Sequence, residues 1–521
     1  MNLSRQVEGK QKTPPPTKPQ SDLSDSRYRS WLRVITSFPS LLTVLVIGIV
    51  FICSVYRPEM NDPDIWWHLR NAQYLVQNHH FVRQDMYSFT VAGHQWVDTE
   101  WLSEVVYYAS YKALGLTGLR MLEFAVLCAT FLFLLYLCYR QTRNFKASAL
   151  ACYCAIVLAT VSFGPRTILF GYLYLVFLLI ILERFRRIGD APLWSLPVLF
   201  CLWANTHGSW SLGLIVFFLF AISGLFSGSW ARIEAVRWTG PQIKKLAFTG
   251  VASVAALFAN PYGWRLVYYP FDLAFRQKLN IGHVQEWAAV NFHDGRGKFA
   301  IFVVAALIAG ALVRNRRWYV SELLLLLFGL YCGLTYIRFL ALFGILAAPV
   351  FAKMLDFLPP YRRTADIPAI NAVLLAAAIA LMVFFWPRES RVHKSIEETY
   401  PAGAVAYLQA HPAQGNVLNF YLWGGYLGWH DPQIKDFIDS RVDIFEYAGV
   451  LKEYLDLLGA DDLQHRPDAI LATYRIRYVL FPPSDSKNPL HNAGKLVEVL
   501  QHDPRWKTIY QDKTSVLLER E

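Results

Sequence analysis

The segment NDPDIWWHLR, residues 61–70, places two carboxylates, a histidine and an arginine directly after an apolar stretch. Asp62 and Asp64 are separated by one proline, and Asp64 begins a run whose apolar residues have helical spacing. A carboxylate fixed at a helix start can act as a general base or bind a metal ion. Simple capping of the helix is the alternative that requires no chemistry. The pair is the first candidate for an active site.

The composition indicates a polytopic membrane protein. Of 521 residues, 55% are apolar and 17% are charged, and the apolar residues form blocks of about 17 to 22 residues, the length of a membrane-spanning helix. We therefore predict an all-α membrane domain. Its expected spans, about eleven in number, are 37–56, 118–138, 147–163, 168–183, 192–206, 210–227, 246–260, 299–313, 320–336, 338–354 and 368–386.

The formal charge of +11 is explained by its placement. Basic clusters follow every second span, so that all of them lie on one side if the N-terminus is cytoplasmic. The pattern predicts a multi-pass cell-membrane protein with an external first loop, residues 57–117, and an external C-terminal domain. It gives no reason to expect a nucleic-acid partner.

Three regions follow from this division. Residues 1–36 are polar and Pro-rich and predict a disordered cytoplasmic tail. Residues 37–386 are the membrane domain, and residues 387–521 predict a small soluble α/β domain. Its strand-like runs are NVLNFYL, IKDFID, IRYVLFP, WKTIYQ and SVLLER, with a helix-like GVLKEYLDLLGA between them. Asp439, Arg441 and Asp443 in this domain favour a structural ion cluster over a substrate contact.

The first external loop is long enough to be functional. WWHLRNAQYLV and WLSEVVYYASYKALG predict two amphipathic helices in the membrane interface, with Trp66 and Trp67 as interfacial anchors. A second acidic pair, Asp98 and Glu100, lies between them, and His68 follows Asp64 by one helical turn.

An acidic segment just past an uncleaved first span, two interfacial helices, many further spans and an external C-terminal domain together resemble the GT-C class of membrane glycosyltransferases. The class uses polyprenyl-phosphate-linked sugars and includes protein mannosyltransferases, oligosaccharyltransferases and aminoarabinose transferases. The resemblance implies an inverting transfer to an external glycan, lipid or protein acceptor at a membrane. The chain has WVDTEWLSE where relatives have a Pro-Pro-Leu segment, and its C-terminal domain has no WWD-type signature, so no subfamily is assigned.

The resemblance also implies roles for particular residues. Asp64 is the expected catalytic base, with Asp62 as helper; if a divalent metal such as Mg²⁺ or Mn²⁺ is required, these two are its expected ligands. The donor phosphate needs cations or donors near headgroup depth. The candidates for contact with substrate are Arg338, Arg166, His207, His68, Glu100 and Glu286.

Each of these residues also has a non-catalytic interpretation. Arg166 can fix the turn around Pro165, His207 can belong to a packing turn, and an arginine at a span end can contact lipid phosphates without specificity. Two other functions stay open, a lipid-linked-oligosaccharide ligase or polymerase and a multi-pass transporter. A cavity shared by Asp62, Asp64 and Arg338 would favour the glycosyltransferase.

Overall fold

A computed structural model describes residues 31–459, 466–486, 488 and 495–521. Residues 1–30, most of the predicted disordered tail, lie outside this range, and residues 31–35 are helical. The helices up to the middle of the chain are α1 (Phe38–Cys53), α2 (Asp64–Asn78), α3 (Trp101–Thr142), α4 (Phe145–Ala159), α5 (Ile168–Ile188), α6 (Ser195–Thr206), α7 (Trp210–Ser223) and α8 (Gly240–Ala256). The remaining helices before the C-terminal domain are α9 (Trp264–Arg276), α10 (Lys278–His283), α11 (Gly295–Val313), α12 (Val320–Thr335), α13 (Leu340–Met354) and α14 (Pro368–Phe384).

Each predicted apolar block coincides with a helix, but the predicted number of spans is not confirmed. By length and composition, five helical segments among the described residues can cross a membrane, and a sixth is obtained if α14 and the bent helix after it count as one. Four further apolar helices, α1, α6, α7 and α12, have only 12 to 16 residues. Their crossing requires tilt or a thinned bilayer.

The second predicted interfacial helix is continuous with a spanning helix. Both lie in α3, which is interrupted at Leu114 and Gly115, where the backbone is not helical. Gly115 has φ +60°, a conformation that glycine adopts readily because it has no Cβ. The break separates the segment that carries Glu104 from the apolar segment below it, as the sequence pattern predicts.

Helix α13 is the buried centre of the bundle, and its start carries Arg338. Its residues from Leu340 to Val350 are all buried. A Cβ on Gly344 would lie 3.2 Å from the Cα of Ala155, so this glycine allows α13 to lie directly against α4. Close packing of this kind fixes the position of Arg338 relative to the loop that precedes α5.

The end of the bundle that carries the basic loops is closed by loop contacts. Three short strands, β1 (Gly228–Trp230), β2 (Ile233–Ala235) and β3 (Trp318–Tyr319), form a small sheet in that order. Arg187 donates a hydrogen bond to the carbonyl of Arg140 at 2.7 Å, and the amide of Asn144 donates to the carbonyl of Leu358. The basic loops therefore lie together at the end opposite the site described below, as charge alternation predicts.

The C-terminal domain is a four-stranded α/β unit. Its strands are β4 (Asn416–Asn419), β5 (Ile476–Phe481), β6 (Trp506–Gln511) and β7 (Val516–Arg520), in the order β4-β5-β7-β6. The pair β4 and β5 is parallel, and the other two pairs are antiparallel. Its helices are α15 (Glu389–Thr399), α16 (Ala402–Ala410), α17 (Gly424–His430), α18 (Val442–Tyr447), α19 (Val450–Leu458), α20 (Arg466–Thr473) and α21 (Leu496–His502).

Four of the five predicted strands are present, and the prediction for IKDFID was wrong. This segment, residues 434–439, is buried at residues 436–439, pairs with the first loop and lies outside the sheet. The backbone N–H of Phe89 donates to the carbonyl of Asp436, and the N–H of Asp436 donates to the carbonyl of Tyr87. Apolar side chains of α2, the first loop and the C-terminal domain form one continuous core. The first loop and the C-terminal domain are therefore packed as one unit.

Candidate active site

A cavity of about 550 Å³ lies between the membrane bundle, the first loop and the C-terminal domain. Apolar side chains of α5, α7, α9 and α13 line one part of it, and charged residues line the other. All eight residues selected from the sequence border this cavity: Asp62, Asp64, His68, Glu100, Arg166, His207, Glu286 and Arg338. They come from six separate loops or helix ends, which the fold brings together.

Asp64 is the first residue of α2 and is held by neighbours on both sides. Its backbone N–H donates to Oδ1 of Asp62 at 3.0 Å, and its own Oδ1 accepts from the indole N–H of Trp67 at 3.2 Å. Burial raises the pKa of Asp64 to about 7, the charge of Asp62 adds to this, and a hydrogen bond to Ser440 opposes it. A carboxylate with a pKa near neutral pH suits a general base.

Arg166 lies between two carboxylates. Its Nε is 2.5 Å from Oδ2 of Asp62, and its Nη2 is 2.5 Å from Oε1 of Glu286. The backbone is fixed as well, because the hydroxyl of Tyr107 donates to the carbonyl of Arg166 at 2.8 Å. Arg166 thus lies in the turn that the sequence predicts and also forms two ion pairs there.

Arg338 is more weakly engaged than Arg166. It lies in a short 3-10 helix, Ile337–Phe339, and its guanidinium stacks 4.3 Å above the Trp287 ring. Its nearest carboxylate oxygen is Oε2 of Glu286, at 3.9 Å, which is too far for a hydrogen bond. Burial raises the pKa of Glu286, but the two arginines outweigh this and lower it. Most donor positions of Arg338 are thus available to a ligand.

His68 and His207 both point at Glu100. Nε2 of His68 is 3.4 Å from Oε2 of Glu100, and Nε2 of His207 is 3.3 Å from Oε1. Thr167 donates to the same carboxylate at 2.6 Å. Burial is the main reason that the pKa of Glu100 is raised to about 8, with smaller contributions from Asp64 and Asp98.

His207 is held in its neutral form. Its Nδ1 accepts from the backbone N–H of Ser209 at 2.9 Å, so its proton lies on Nε2, facing Glu100. Burial, then Arg338 and Arg166, lower the pKa of His207 to about 3. A neutral His207 can donate a hydrogen bond but offers no positive charge to a phosphate.

The C-terminal domain supplies part of the cavity wall through residues 440–443. The indole N–H of Trp67 reaches the hydroxyl of Ser440 at 3.1 Å. Arg441 forms the ion cluster that the sequence favours. Its Nη2 lies 2.5 Å from Oδ2 of Asp439 and 2.7 Å from Oδ1 of Asp85, and Asp85 belongs to the first loop. Asp443 borders the cavity, and burial raises its pKa to about 6.

The tryptophans of the motif do not anchor in the membrane interface, contrary to the prediction. Trp66 is 1% exposed and packs edge-on against Tyr426 at 5.2 Å and Tyr400 at 5.5 Å. A Cβ on Gly425 would lie 3.1 Å from the carbonyl of Pro63. This glycine allows the C-terminal domain to lie against the start of α2, which places Asp64.

Sequence reasoning missed Glu104 and Asn71, which support the site from behind. Oε1 of Glu104 lies 2.8 Å from Nδ1 of His68 and accepts from the amide of Asn71 at 3.2 Å. The hydroxyl of Tyr87 donates to Oδ1 of Asn71 at 2.6 Å. The only feature of the sequence that points to Asn71 is its helical spacing, because His68 and Asn71 are three residues apart on α2 and share one face.

A divalent metal does not fit this arrangement. The described part of the chain has no group of three or more His, Cys, Asp or Glu side chains placed to hold a metal ion. Oδ1 of Asp62 already accepts from the Asp64 backbone, and Oδ2 pairs with Arg166, which also pairs with Glu286. An ion bound between Asp62 and Glu286 would need the oxygens that hold the guanidinium.

Comparison with solved structures identifies the fold. The archaeal oligosaccharyltransferase of Archaeoglobus fulgidus, tethered to an acceptor peptide containing the NVT sequon, superposes with a TM-score of 0.53. The match is 13% identical and covers 87% of this chain and 70% of that one. The protein has the GT-C fold. AglB of the same organism, in complex with an inhibitory peptide and a dolichol-phosphate, gives a TM-score of 0.51 at 10% identity, covering 85% and 69%.

No protein-family model and no curated protein matches the chain. In this chain the first loop, the ends of the membrane helices and the C-terminal domain enclose the cavity that all eight candidate residues border. The resemblance read from the sequence is thus confirmed at the level of the fold.

Proposed function

We propose that the protein is a membrane glycosyltransferase that moves a glycosyl group from a polyprenyl-phosphate donor to an acceptor hydroxyl or amide. The observation that carries this proposal is the pairing, in one cavity, of a carboxylate with a pKa near 7, Asp64, and an arginine with unused donors, Arg338. The first can accept the acceptor's proton, and the second can bind the leaving phosphate.

The cavity offers a matching surface to each part of the donor. Apolar residues of α5, α7, α9 and α13, among them Leu175, Ile215, Phe275 and Leu342, line the part suited to a polyprenyl chain. The phosphate would then lie beside Arg338, where the membrane helices end. The sugar would lie between Arg338 and Asp64, sheltered from bulk water by the first loop.

The transfer step balances without a further reactant. The acceptor oxygen or nitrogen attacks the anomeric carbon as its proton passes to a carboxylate oxygen of Asp64. The bond from the anomeric carbon to the phosphate oxygen breaks, and the phosphate leaves with the electron pair. Attack from the side opposite the phosphate inverts the anomeric centre. Arg338 stabilises the charge that develops on the phosphate.

The acceptor side of the cavity lies next to the C-terminal domain. Tyr269 and Asp443 border it there, together with Ser440. The Archaeoglobus enzymes were captured with peptides and with dolichol-phosphate, which makes a peptide acceptor and a dolichyl-type donor the first pair to test here. Glycan and lipid acceptors remain within the proposal.

The shared cavity favours this function over its two rivals. A ligase that relied on arginine and histidine alone would not need a carboxylate of near-neutral pKa at the cavity wall. A transporter would place its charged groups near the middle of the membrane, whereas the charged groups of this cavity lie at the ends of helices.

The direct test is transfer by the purified protein in lipid nanodiscs. Radiolabelled polyprenyl-phosphate sugars would be offered with a peptide library, and with glycan or lipid acceptors in parallel. We expect label to move from the organic to the acceptor fraction with wild type and not with Asp64→Asn. Absence of transfer by wild type with any pair would reject the proposal, and equal transfer by the two proteins would reject the role of Asp64 as the base.

A further inference from the structure

Arg166 lies where a bound metal ion would neutralise the charges of the acidic residues of the site. Arg166 contacts Asp62 through Nε and Glu286 through Nη2, each at 2.5 Å. These two carboxylates come from the first loop and from the 3-10 helix Gln285–Trp287, which are otherwise distant in sequence. The guanidinium joins them as a bound ion would.

The backbone of Arg166 is held at two points. Its carbonyl accepts from Tyr107, and its backbone N–H donates to the carbonyl of Gly164 at 2.8 Å. The side chain is 19% exposed, Asp62 is 8% exposed and Glu286 is 31% exposed. Displacement would leave a half-buried guanidinium without its carboxylate partners, which is unfavourable.

The charges balance with two arginines. Arg166 and Arg338 both lie near Glu286, and together they bring two positive charges to the wall beside Asp62 and Asp64, the same charge as one divalent ion. Unlike an ion, the two guanidiniums also supply directed donors that match phosphate oxygens.

We propose that Arg166 takes the place of a divalent metal ion in this site, so that Asp62 and Glu286 hold a guanidinium and glycosyl transfer proceeds without a bound metal. The statement about catalysis rests on the proposed glycosyltransferase function. The statement about metal binding does not, since it concerns only the availability of the two carboxylates.

The test is a Mn²⁺ titration of the full-length protein in nanodiscs, with free Mn²⁺ measured by electron paramagnetic resonance. Wild type should bind no equivalent of Mn²⁺ that depends on Asp62. Arg166→Gln frees the two carboxylates, so its affinity for one Mn²⁺ should rise by about tenfold or more. Arg276→Gln is the matched control, because it removes the same charge from a residue whose side chain is 67% exposed.

The outcomes separate cleanly. Stoichiometric Mn²⁺ binding by wild type that is lost in Asp62→Asn would overturn the proposal, and so would a gain in Arg166→Gln no larger than in Arg276→Gln. Mn²⁺ binding that persists in Asp62→Asn comes from a site other than the Asp62 and Glu286 carboxylates and agrees with the proposal. If Arg166→Gln is not monodisperse, the wild-type titration still decides.

A second measurement addresses catalysis. Transfer by wild type, measured before and after EDTA treatment, should change by less than about twofold, whereas a metal-dependent site would lose nearly all activity. Loss of transfer on chelation with recovery on adding Mn²⁺ would overturn metal independence. Absence of transfer in every sample would instead reject the proposed function, and the titration would stand on its own.

Discussion

Two arginines in this protein each lie between two carboxylates, and their surroundings differ. Arg441 pairs with Asp85 and Asp439, and all three side chains are at most 1% exposed. Arg166 pairs with Asp62 and Glu286, which are 8% and 31% exposed. The first cluster, the sealed cluster, joins the first loop to the C-terminal domain. The second, the open cluster, faces a cavity.

The difference shows how the same ion pairs serve two purposes. In the sealed cluster the three side chains are almost fully buried, so their charges act mainly on the fit between two parts of the chain, although Arg441 also borders the cavity. In the open cluster the charges border the cavity. Substitutions in the two clusters should therefore separate loss of stability from loss of activity.

The largest expected effect lies beside the open cluster. Asp64→Asn removes the proton acceptor but keeps the shape and the hydrogen bond from Trp67, so the rate of transfer should fall by about 10² to 10⁴. The melting temperature should stay within a few degrees of wild type. A normal rate, measured by single-turnover transfer of radiolabelled sugar, would remove Asp64 from catalysis.

The second effect is on stability and belongs to the sealed cluster. Arg441→Met leaves Asp85 and Asp439 buried without a cation, which costs about 3 to 5 kcal/mol. Thermal unfolding in detergent should show a clear drop in melting temperature. Arg166→Gln should lower it by less than half as much, because its partners are more exposed. Equal drops would mean that the two clusters do not differ in the way described.

Donor affinity should respond to the arginine that has few partners. Arg338→Lys keeps the charge but loses the planar fork that suits phosphate, so the dissociation constant for a polyprenyl-phosphate sugar should rise by about tenfold. Calorimetry in nanodiscs measures it, with Arg276→Lys as the control. An unchanged constant would assign Arg338 to lipid contact alone.

The pH dependence tests the open cluster as a whole. Because the pKa of Asp64 is raised to about 7 and the base must be ionised, transfer should increase by up to about tenfold per pH unit below 7 and level off above it. Asp62, Arg166 and Glu286 are the charged groups around it. A rate that falls with rising pH through this range would contradict a base role.

Much of the fold follows from the sequence because lipid permits few backbone arrangements. Apolar blocks in a membrane form helices, and each predicted apolar block coincides with a helix. The predicted interfacial helix and the span after it are separated by the break at Gly115. Charge alternation put Arg166, His207 and Arg338 at one end of the bundle, and all three border the cavity. Their roles in transfer stay predictions.

The pairings within the site could not be predicted. Nothing in the sequence indicates that Asp62 pairs with Arg166 or Asp85 with Arg441, because such contacts depend on how distant segments pack. The segment IKDFID has the composition of a strand, yet it pairs with the first loop. Trp66 resembles an interface anchor until the C-terminal domain covers it.

The bond between Asp85 and Arg441 joins residues 356 positions apart, and this separation sets the order in which the protein can be completed. During synthesis the first loop emerges early, but the residue that neutralises Asp85 is made only after the whole bundle. At about 5 to 20 residues per second, the loop waits for tens of seconds before its partner exists. Chains that stop before residue 441 would lack the guanidinium that neutralises Asp85, so the contact between the first loop and the C-terminal domain could not form.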